Sequence, residues 1–240
     1  MKSERRYRSW LARDGLIPFR VTVKETDLYI LARISLEQEA HEAIINLRHQ
    51  IEEYIKANPL FQTSLDPLPD DPRAPKVVKE MLAVSRKAGV GPMAGVAGAV
   101  AEFVGKELLV KTPEVVVENG GDIFVHSSIE RRIGLFAGES PLTMKLGLRI
   151  PPEKTPLGIC TSSATVGHSQ SFGKADAVCV ISPSCALADA AATALGNRVG
   201  GKGDIERVLE EGQKIAGVEG IVIIVGDALG AWGEYELVQL

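Results

Sequence analysis

The chain has 240 residues, 45% hydrophobic and 24% charged, enough for one sizeable core with an ordinary globular composition. A formal net charge of −4 argues against a general grip on nucleic acid. Three cysteines, Cys160, Cys179 and Cys185, are odd in number and lack metal-finger spacing, so neither a disulfide framework nor a zinc finger is expected, and reduced thiols in a cytoplasm fit best.

The first residues, MKSERRYRSWLARDG, are too charged for a signal peptide. The most apolar stretch, Gly89 to Val104, carries Glu102 and is short for a membrane span, so no membrane attachment is expected. Phe19–Val23 and Leu28–Ala32, separated by Glu25-Thr26-Asp27, read as a β-hairpin. Ser35 and Gln38 form a capping box ahead of a helix from Leu36 to about Ala57, whose apolar face repeats Ala40, Ala43, Ile44, Leu47, Ile51 and Ile55. Asn58 to Pro75 holds five prolines and reads as a long irregular connection, either a passive surface loop or a cover for a site.

Helices are expected over Lys76–Lys87 and from about Met93 to Leu108, with a Gly-rich turn between them. Gly89-Val-Gly91-Pro-Met-Ala94 fits G-x-G-x-x-A, but an amphipathic helix precedes it where a dinucleotide fingerprint needs a strand. The spacing Gly91, Gly95 and Gly98 lets a helix approach a neighbour closely instead. Glu114–Glu118 and Ile123–His126 read as strands around the turn Asn119-Gly120-Gly121-Asp122. More strands are expected at Arg132–Phe136, Lys145–Ile150, Gly158–Thr161 and Ala177–Ile181. A helix follows from about Ala186 to Leu195, and another from an Asp204 N-cap to Ala216. Gly196–Lys202 fits G-x-x-x-x-G-K, but Gly203 follows where a P-loop has Ser or Thr, and a helix precedes it. Ile221–Val225 and Tyr235–Val238 close the chain as strands. The class is α+β, with a mostly antiparallel sheet and segregated helices, expected as one domain over 1–240.

Chemistry concentrates in Leu187–Leu195, LADAAATAL. Asp189 and Thr193 are four residues apart, so a carboxylate and a hydroxyl share one helix face. Two hard oxygens on one face suit Mg2+, which keeps positions open for water and phosphate. The start of this helix would favour an anionic phosphate nearby. The plain alternative is an Ala-rich buried helix with Asp189 as a dipole partner. Cys160 and Cys179 fall in apolar strands as core residues, whereas Cys185 lies near a helix N-terminus, where thiolate is favoured.

Four segments in order carry a family resemblance: Gly91–Glu102 (GPMAGVAGAVAE), Val115–Ile123 (VVVENGGDI), Cys160–Ser163 (CTSS) and Asp189–Leu195 (DAAATAL). Together they resemble the ApbE-type FAD:protein FMN transferases. The wording CTSSATVGHSQSFGKADAV is most similar to a shorter, divergent ApbE-like family of methanogens and other anaerobes, for which a role in sulfur assimilation or homocysteine formation has been proposed. The resemblance implies an ApbE-like fold that binds a flavin nucleotide such as FAD, or another diphosphate, through Mg2+. It implies Asp189 and Thr193 as metal ligands together with a backbone carbonyl of the Gly/Ala segment. Gly120, Gly121 and Asp122 would turn the backbone beside the nucleotide, and Thr161, Ser162 and Ser163 would lie along it. In the family a target Thr hydroxyl attacks the FMN-side phosphorus and AMP leaves. The family's Lys-Gly-Tyr run reads Val96-Ala97-Gly98-Ala99 here, and its His-Ile-Ile-Asp-Pro stretch reads Thr165 to Gly173. His168 is then either a stand-in general base or a loop histidine. A second implied reading is a sulfur-assimilation protein that acts through a redox partner or a thiolate at Cys185 or Cys160, without FMN transfer. Homo-oligomerisation is left open.

Overall fold

The computed structural model describes residues 15–163 and 173–240. Two strands open it, β1 (Ile17–Val23) and β2 (Thr26–Ala32), paired as the expected hairpin. Then come α1 (Glu37–Ala57), a four-residue α2 (Leu60–Thr63), α3 (Lys76–Ala88), a 3-10 turn at Pro92–Gly95 and α4 (Val96–Leu108). The middle holds β3 (Val115–Asn119), β4 (Asp122–His126), β5 (Arg131–Gly134), β6 (Leu146–Ile150), β7 (Leu157–Ser162) and β8 (Ala177–Ser182). The end adds α5 (Cys185–Gly196), α6 (Ile205–Gly212), β9 (Gly220–Val225), β10 (Ala228–Gly233) and β11 (Glu236–Gln239).

These elements form three layers. Eight strands make one sheet in the order β1-β2-β3-β4-β7-β8-β9-β10, and β11-β6-β5 make a second. Every pairing among the described residues is antiparallel. The helices cover one face of the large sheet, around Leu28, Ile30, Val117, Phe124, Val178 and Ile223. The small sheet covers the other face, around Val116, Val125, Ile159, Ile181 and Ile224. Central strands are therefore buried on both sides, which is why Val115–Val117, Ala177–Ile181 and Gly220–Val225 read as unbroken apolar runs rather than alternating ones.

α5 is the central helix, packed on β7 and β8 and flanked by α3 and α4. Its alanines bring its backbone close to these neighbours. Gly95 and Gly98 meet it from the other side. A Cβ at Gly95 would lie 2.9 Å from the Ala186 carbonyl, and one at Gly98 would lie 2.8 Å from Asp189 Cβ. The closeness expected from the glycine spacing is therefore a contact between the start of α4 and α5.

Several local expectations change. Ser35 does not cap α1: the helix starts at Glu37, no side chain caps it, and Ser35 Oγ lies 3.5 Å from Glu37. Leu36, at the capping position, is buried in the core, and that burial outweighs a solvent-exposed cap. The helix after Gly91 starts as a 3-10 turn and becomes α4 at Val96. Asp204 flanks α6 but its carboxylate accepts from Gly200 N (2.8 Å) and does not cap the helix. α6 stops at Gly212, short of Ala216. β10, ALGAWG, was not expected as a strand, because small residues and glycine carry no strand signal.

Gly89-to-Ala94 follows helix α3, and Gly196-to-Lys202 follows helix α5, so neither has the strand that a phosphate-binding motif requires. Among the described residues no single helix is long and apolar enough to cross a membrane. α3 and the Pro92–Leu108 segment pass such a test only together, bent by 106°.

Candidate functional site

Ten of the twelve residues of α5 are buried; the other two are Asp189 and Thr193. They lie four apart, so they form a single, partly exposed stripe on the central helix, and the space beside it, bounded by Asp122, is the candidate cleft. Across the cleft runs the β3–β4 turn. Gly120 (φ 71°) and Gly121 (φ 110°) adopt left-handed backbone that a side chain would strain, and Asp122 follows as the first residue of β4. Asp122 pairs with Cys160 on β7, which places Thr161 and Ser162 beside the turn. A Cβ at Gly121 would lie 3.5 Å from the Thr161 carbonyl, and one at Gly196, at the end of α5, would lie 3.3 Å from Ser162 Oγ. The structure thus brings Gly120, Gly121, Asp122, Thr161, Ser162, Asp189 and Thr193 to one cleft. Ser163 follows β7 directly and is partly exposed. His168, the candidate base, lies outside the described residues.

Two acids meet here. Asp189 Oδ2 accepts from Gly98 N (2.8 Å), and the Ala97 N–H also donates to this carboxylate. Burial nevertheless pushes Asp189 up to about 7, and those two hydrogen bonds only moderate the rise. Asp122 is 8% exposed and is raised well above the usual carboxylate range, first by burial and then by the charge of Asp189. A hydrogen bond from the Cys160 thiol pulls it down in part. The Glu118 carboxylate, fully buried, accepts from Gly121 N (2.9 Å) and adds further negative charge. Among the described residues no Lys, Arg or His pairs with Asp122 or Asp189.

Asp189 has a second role that the sequence suggested only as a dipole partner. Its two backbone donors, Ala97 and Gly98, are the open N–H groups at the start of α4, so Asp189 caps that helix from outside. Glu102 of α4 returns the favour: its Oε2 accepts from Ala186 N (3.2 Å) at the start of α5. Ser184 Oγ takes Leu187 N (3.2 Å). The start of α5 is therefore filled by protein groups, and the expectation that it favours a phosphate does not hold. Asn119 Nδ2 donates to the Ala97 carbonyl (3.0 Å) and ties the β3–β4 turn to α4. Residues 97, 98, 102 and 119 were not in the expected site. Asn119, the first residue of the turn, and Gly98, through its glycine spacing, had a sequence signal.

Cys160 and Cys179 are core residues as expected, and the reading of Cys185 is corrected. Cys160, Cys179 and Cys185 are all buried, and burial pushes each up, Cys179 to about 12. Cys185 is the first residue of α5, yet desolvation outweighs the helix end and disfavours its thiolate.

Among the described residues no cluster of three or more His, Cys, Asp or Glu is arranged around a metal position. Above the buried thiols, the donors nearest the surface are oxygens: the Asp122 and Asp189 carboxylates and the Thr193 hydroxyl. Such a set fits a hard cation that completes its shell with water and phosphate oxygens. It does not fit a thiophilic or imidazole-bound metal.

The family model described as AbpE bacteria matches residues 8–236. The chain belongs to that family. Its relatives include a UPF0280 protein of Methanocaldococcus jannaschii, 43% identical over 229 residues that cover 92% of each chain. Another, a UPF0280 protein of Methanocella arvoryzae, is 41% identical over 212 residues, 88% of this chain and 86% of the other. Solved structures with the ApbE name share the fold. The ApbE protein of Thermotoga maritima superposes with a TM-score of 0.58 at 13% identity, covering 90% of this chain and 96% of that one. A mutant of the flavin transferase ApbE from Vibrio cholerae gives 0.57 at 15% identity, with the same coverage. The flavinyl transferase ApbE of Pseudomonas stutzeri gives 0.56 at 13%, covering 90% and 93%. This is a divergent ApbE-like protein in fold and family, as the four ordered segments implied.

Proposed function

We propose that the cleft binds a flavin nucleotide such as FAD, or a related diphosphate, through Mg2+, and that its reaction is transfer of FMN from FAD to a protein. The observation that carries this reading is the stripe on α5: Asp189 and Thr193 are the partly exposed pair on an otherwise buried helix, and Asp189 lies near a second acid, Asp122, at the end of the glycine turn. Two acids that share a low-dielectric cleft without a basic partner are stabilised by a cation. In this reading Asp189 and Thr193 hold the ion. Two N–H groups leave carboxylate lone pairs on Asp189 for that purpose. A bound Mg2+ would neutralise diphosphate charge and ease departure of the AMP side.

The chain's own groups then position and desolvate. Gly120 and Gly121 let backbone approach the nucleotide, Thr161, Ser162 and Ser163 offer hydroxyls along it, and Asn119 holds the turn against α4. His168 is the candidate proton acceptor for the attacking hydroxyl. Calorimetric titration of the purified protein with FAD, with and without Mg2+, tests the reading. Binding is expected only with the ion present, and Asp189→Ala should abolish it. FAD binding that ignores Mg2+ or survives Asp189→Ala would remove the site assignment. Release of AMP and covalent flavin on an acceptor peptide would then separate transfer from binding alone.

A further inference from the structure

Cys160 and Cys185 lie 25 residues apart in sequence, yet their Sγ atoms are 3.5 Å apart in the folded chain. Cys160 is on β7 and Cys185 opens α5, so the pair spans sheet and helix at the floor of the acidic cleft. Their proximity is built in by Gly158, two residues before Cys160 on the same strand face. A Cβ at Gly158 would lie 2.7 Å from Cys185 N and 2.8 Å from Cys185 Cβ, so only glycine lets the helix start rest on the strand here. Cys160 Sγ also donates to the Cys185 carbonyl (3.3 Å) and hydrogen-bonds the Asp122 carboxylate. Cys185 shares its helix face with Asp189 and Thr193, at spacings of four. Cys179, on β8, packs in the other core, under the small sheet, and cannot reach either sulfur without leaving it.

We propose that Cys160 and Cys185 form a reversible disulfide that clamps α5 to β7 and weakens the hold of the cleft on a divalent cation. The second half of this rests on the function proposed above; the cross-link does not. A disulfide has sulfurs about 2.0 Å apart, so the pair must close by roughly 1.5 Å, a rotation of two side chains. The oxidant is a small peroxide; both sulfurs are fully buried, so it reaches them through local opening of the fold. The Cys160 sulfur attacks one peroxide oxygen. The O–O bond breaks, the leaving hydroxide takes the Cys160 thiol proton to become water, and Cys160 becomes a sulfenic acid. The Cys185 sulfur attacks the Cys160 sulfur, an S–S bond forms, the S–O bond breaks, and the Cys185 proton leaves with that oxygen as a second water. In sum two thiols are oxidised by two electrons, and one hydrogen peroxide is reduced to two waters. The disulfide removes the Cys160 hydrogen bond from Asp122 and draws in the first turn of α5, which carries Asp189 at its end. Burial makes the thiols slow to react, so the pair answers sustained oxidation rather than a brief pulse.

The test treats the folded full-length protein with hydrogen peroxide, maps its disulfides by peptide mass spectrometry and titrates Mn2+ before and after. The expected result is a single Cys160–Cys185 cross-link with Cys179 still a thiol, reversed by dithiothreitol. The Mn2+ dissociation constant should rise at least tenfold on oxidation and recover on reduction. Cys160→Ser and Cys185→Ser should each keep their Mn2+ affinity under peroxide. Three free thiols after treatment, or a cross-link through Cys179, would overturn the inference. An equal loss of affinity in the two serine variants would overturn the coupling to the cleft. If the reduced protein binds no Mn2+, the proposed function fails, while the mapped cross-link still decides this inference by itself.

Discussion

Asp122 and Asp189 bring like charge into one cleft, and without a counter-ion that arrangement opposes folding. Both carboxyls titrate above their unfolded value of about 3.9, Asp189 at about 7. A raised acid keeps its proton in the native state after the unfolded chain has lost it. Stability of the cation-free protein should therefore fall as pH rises from about 4 towards 7. Asp189→Asn removes that penalty, so urea unfolding without metal should show a variant at least as stable as the parent at pH 8, with its relative gain lost at pH 4. The same variant should lose divalent-cation binding. A variant that is destabilised equally at both pH values would show that Asp189 serves only to cap α4. At this scale the sequence pointed to Asp189, Thr193 and the Gly120–Asp122 turn as candidates, because side-chain chemistry and four-residue spacing are local. It was silent on the backbone N–H groups that Ala97 and Gly98 contribute, and it misjudged Cys185, because burial is set by what packs on top.

Between elements, α4 and α5 cap each other: Asp189 receives the start of α4, and Glu102 receives the start of α5. This exchange needs the two helix starts nearly in contact, which Gly98 permits. Gly98→Ala puts a methyl group against the Cys185 carbonyl and Asp189 Cβ. The expected loss is about 1–3 kcal/mol or more, together with weaker cation binding, since the helix must retreat from its partner. An unchanged urea midpoint would contradict the packing argument. A second junction ties the two sheets. Glu114, just before β3, is buried and holds Arg131 of β5 (3.0 Å) and Arg33 (3.1 Å), with Ser128 as a further donor. Burial would raise this carboxyl, but the hydrogen bonds from Ser128 and Arg33 bring it below the usual range. Glu114→Ala leaves buried Arg131 without that partner and should cost about 3–5 kcal/mol. A depressed acid stabilises above its unfolded value and stops doing so as pH falls through its folded one. The stability gap between parent and Glu114→Gln should thus close in acid; a gap that stays constant to pH 2 would refute the assignment. Element identity was largely legible, since α1, α3 and the buried strands have strong patterns. Starts and stops were less so: Leu36 burial overrode the Ser35 cap, and β10, with its small residues, forms only because β9 offers it an edge.

Across the whole molecule, the candidate cleft lies where four separate stretches of chain converge: the β3–β4 turn, the start of α4, the strand β7, and α5 above it. The sheet order sets this convergence, because β4 and β7 are neighbours although β5 and β6 intervene in sequence. No local pattern predicts that adjacency, and for this reason the family resemblance, which rests on the order of four segments, carried more of the site than any one of them did. The same convergence makes a ligand a cross-brace. A cation and diphosphate held by all four stretches, as proposed, would bind the native state and not the unfolded chain. At a ligand concentration 100 times its dissociation constant, such binding stabilises by about 2.7 kcal/mol. For a chain of this size that corresponds to a rise in melting temperature of roughly 5–10 °C. The rise should appear with FAD and Mg2+ together, be smaller with Mg2+ alone, and vanish in Asp189→Asn. A rise of equal size with FAD alone would place the ligand elsewhere on the protein. The Asp122→Asn variant supplies the remaining distinction: if the second acid acts through charge rather than by ligation, it should shrink the Mg2+-dependent rise without removing it.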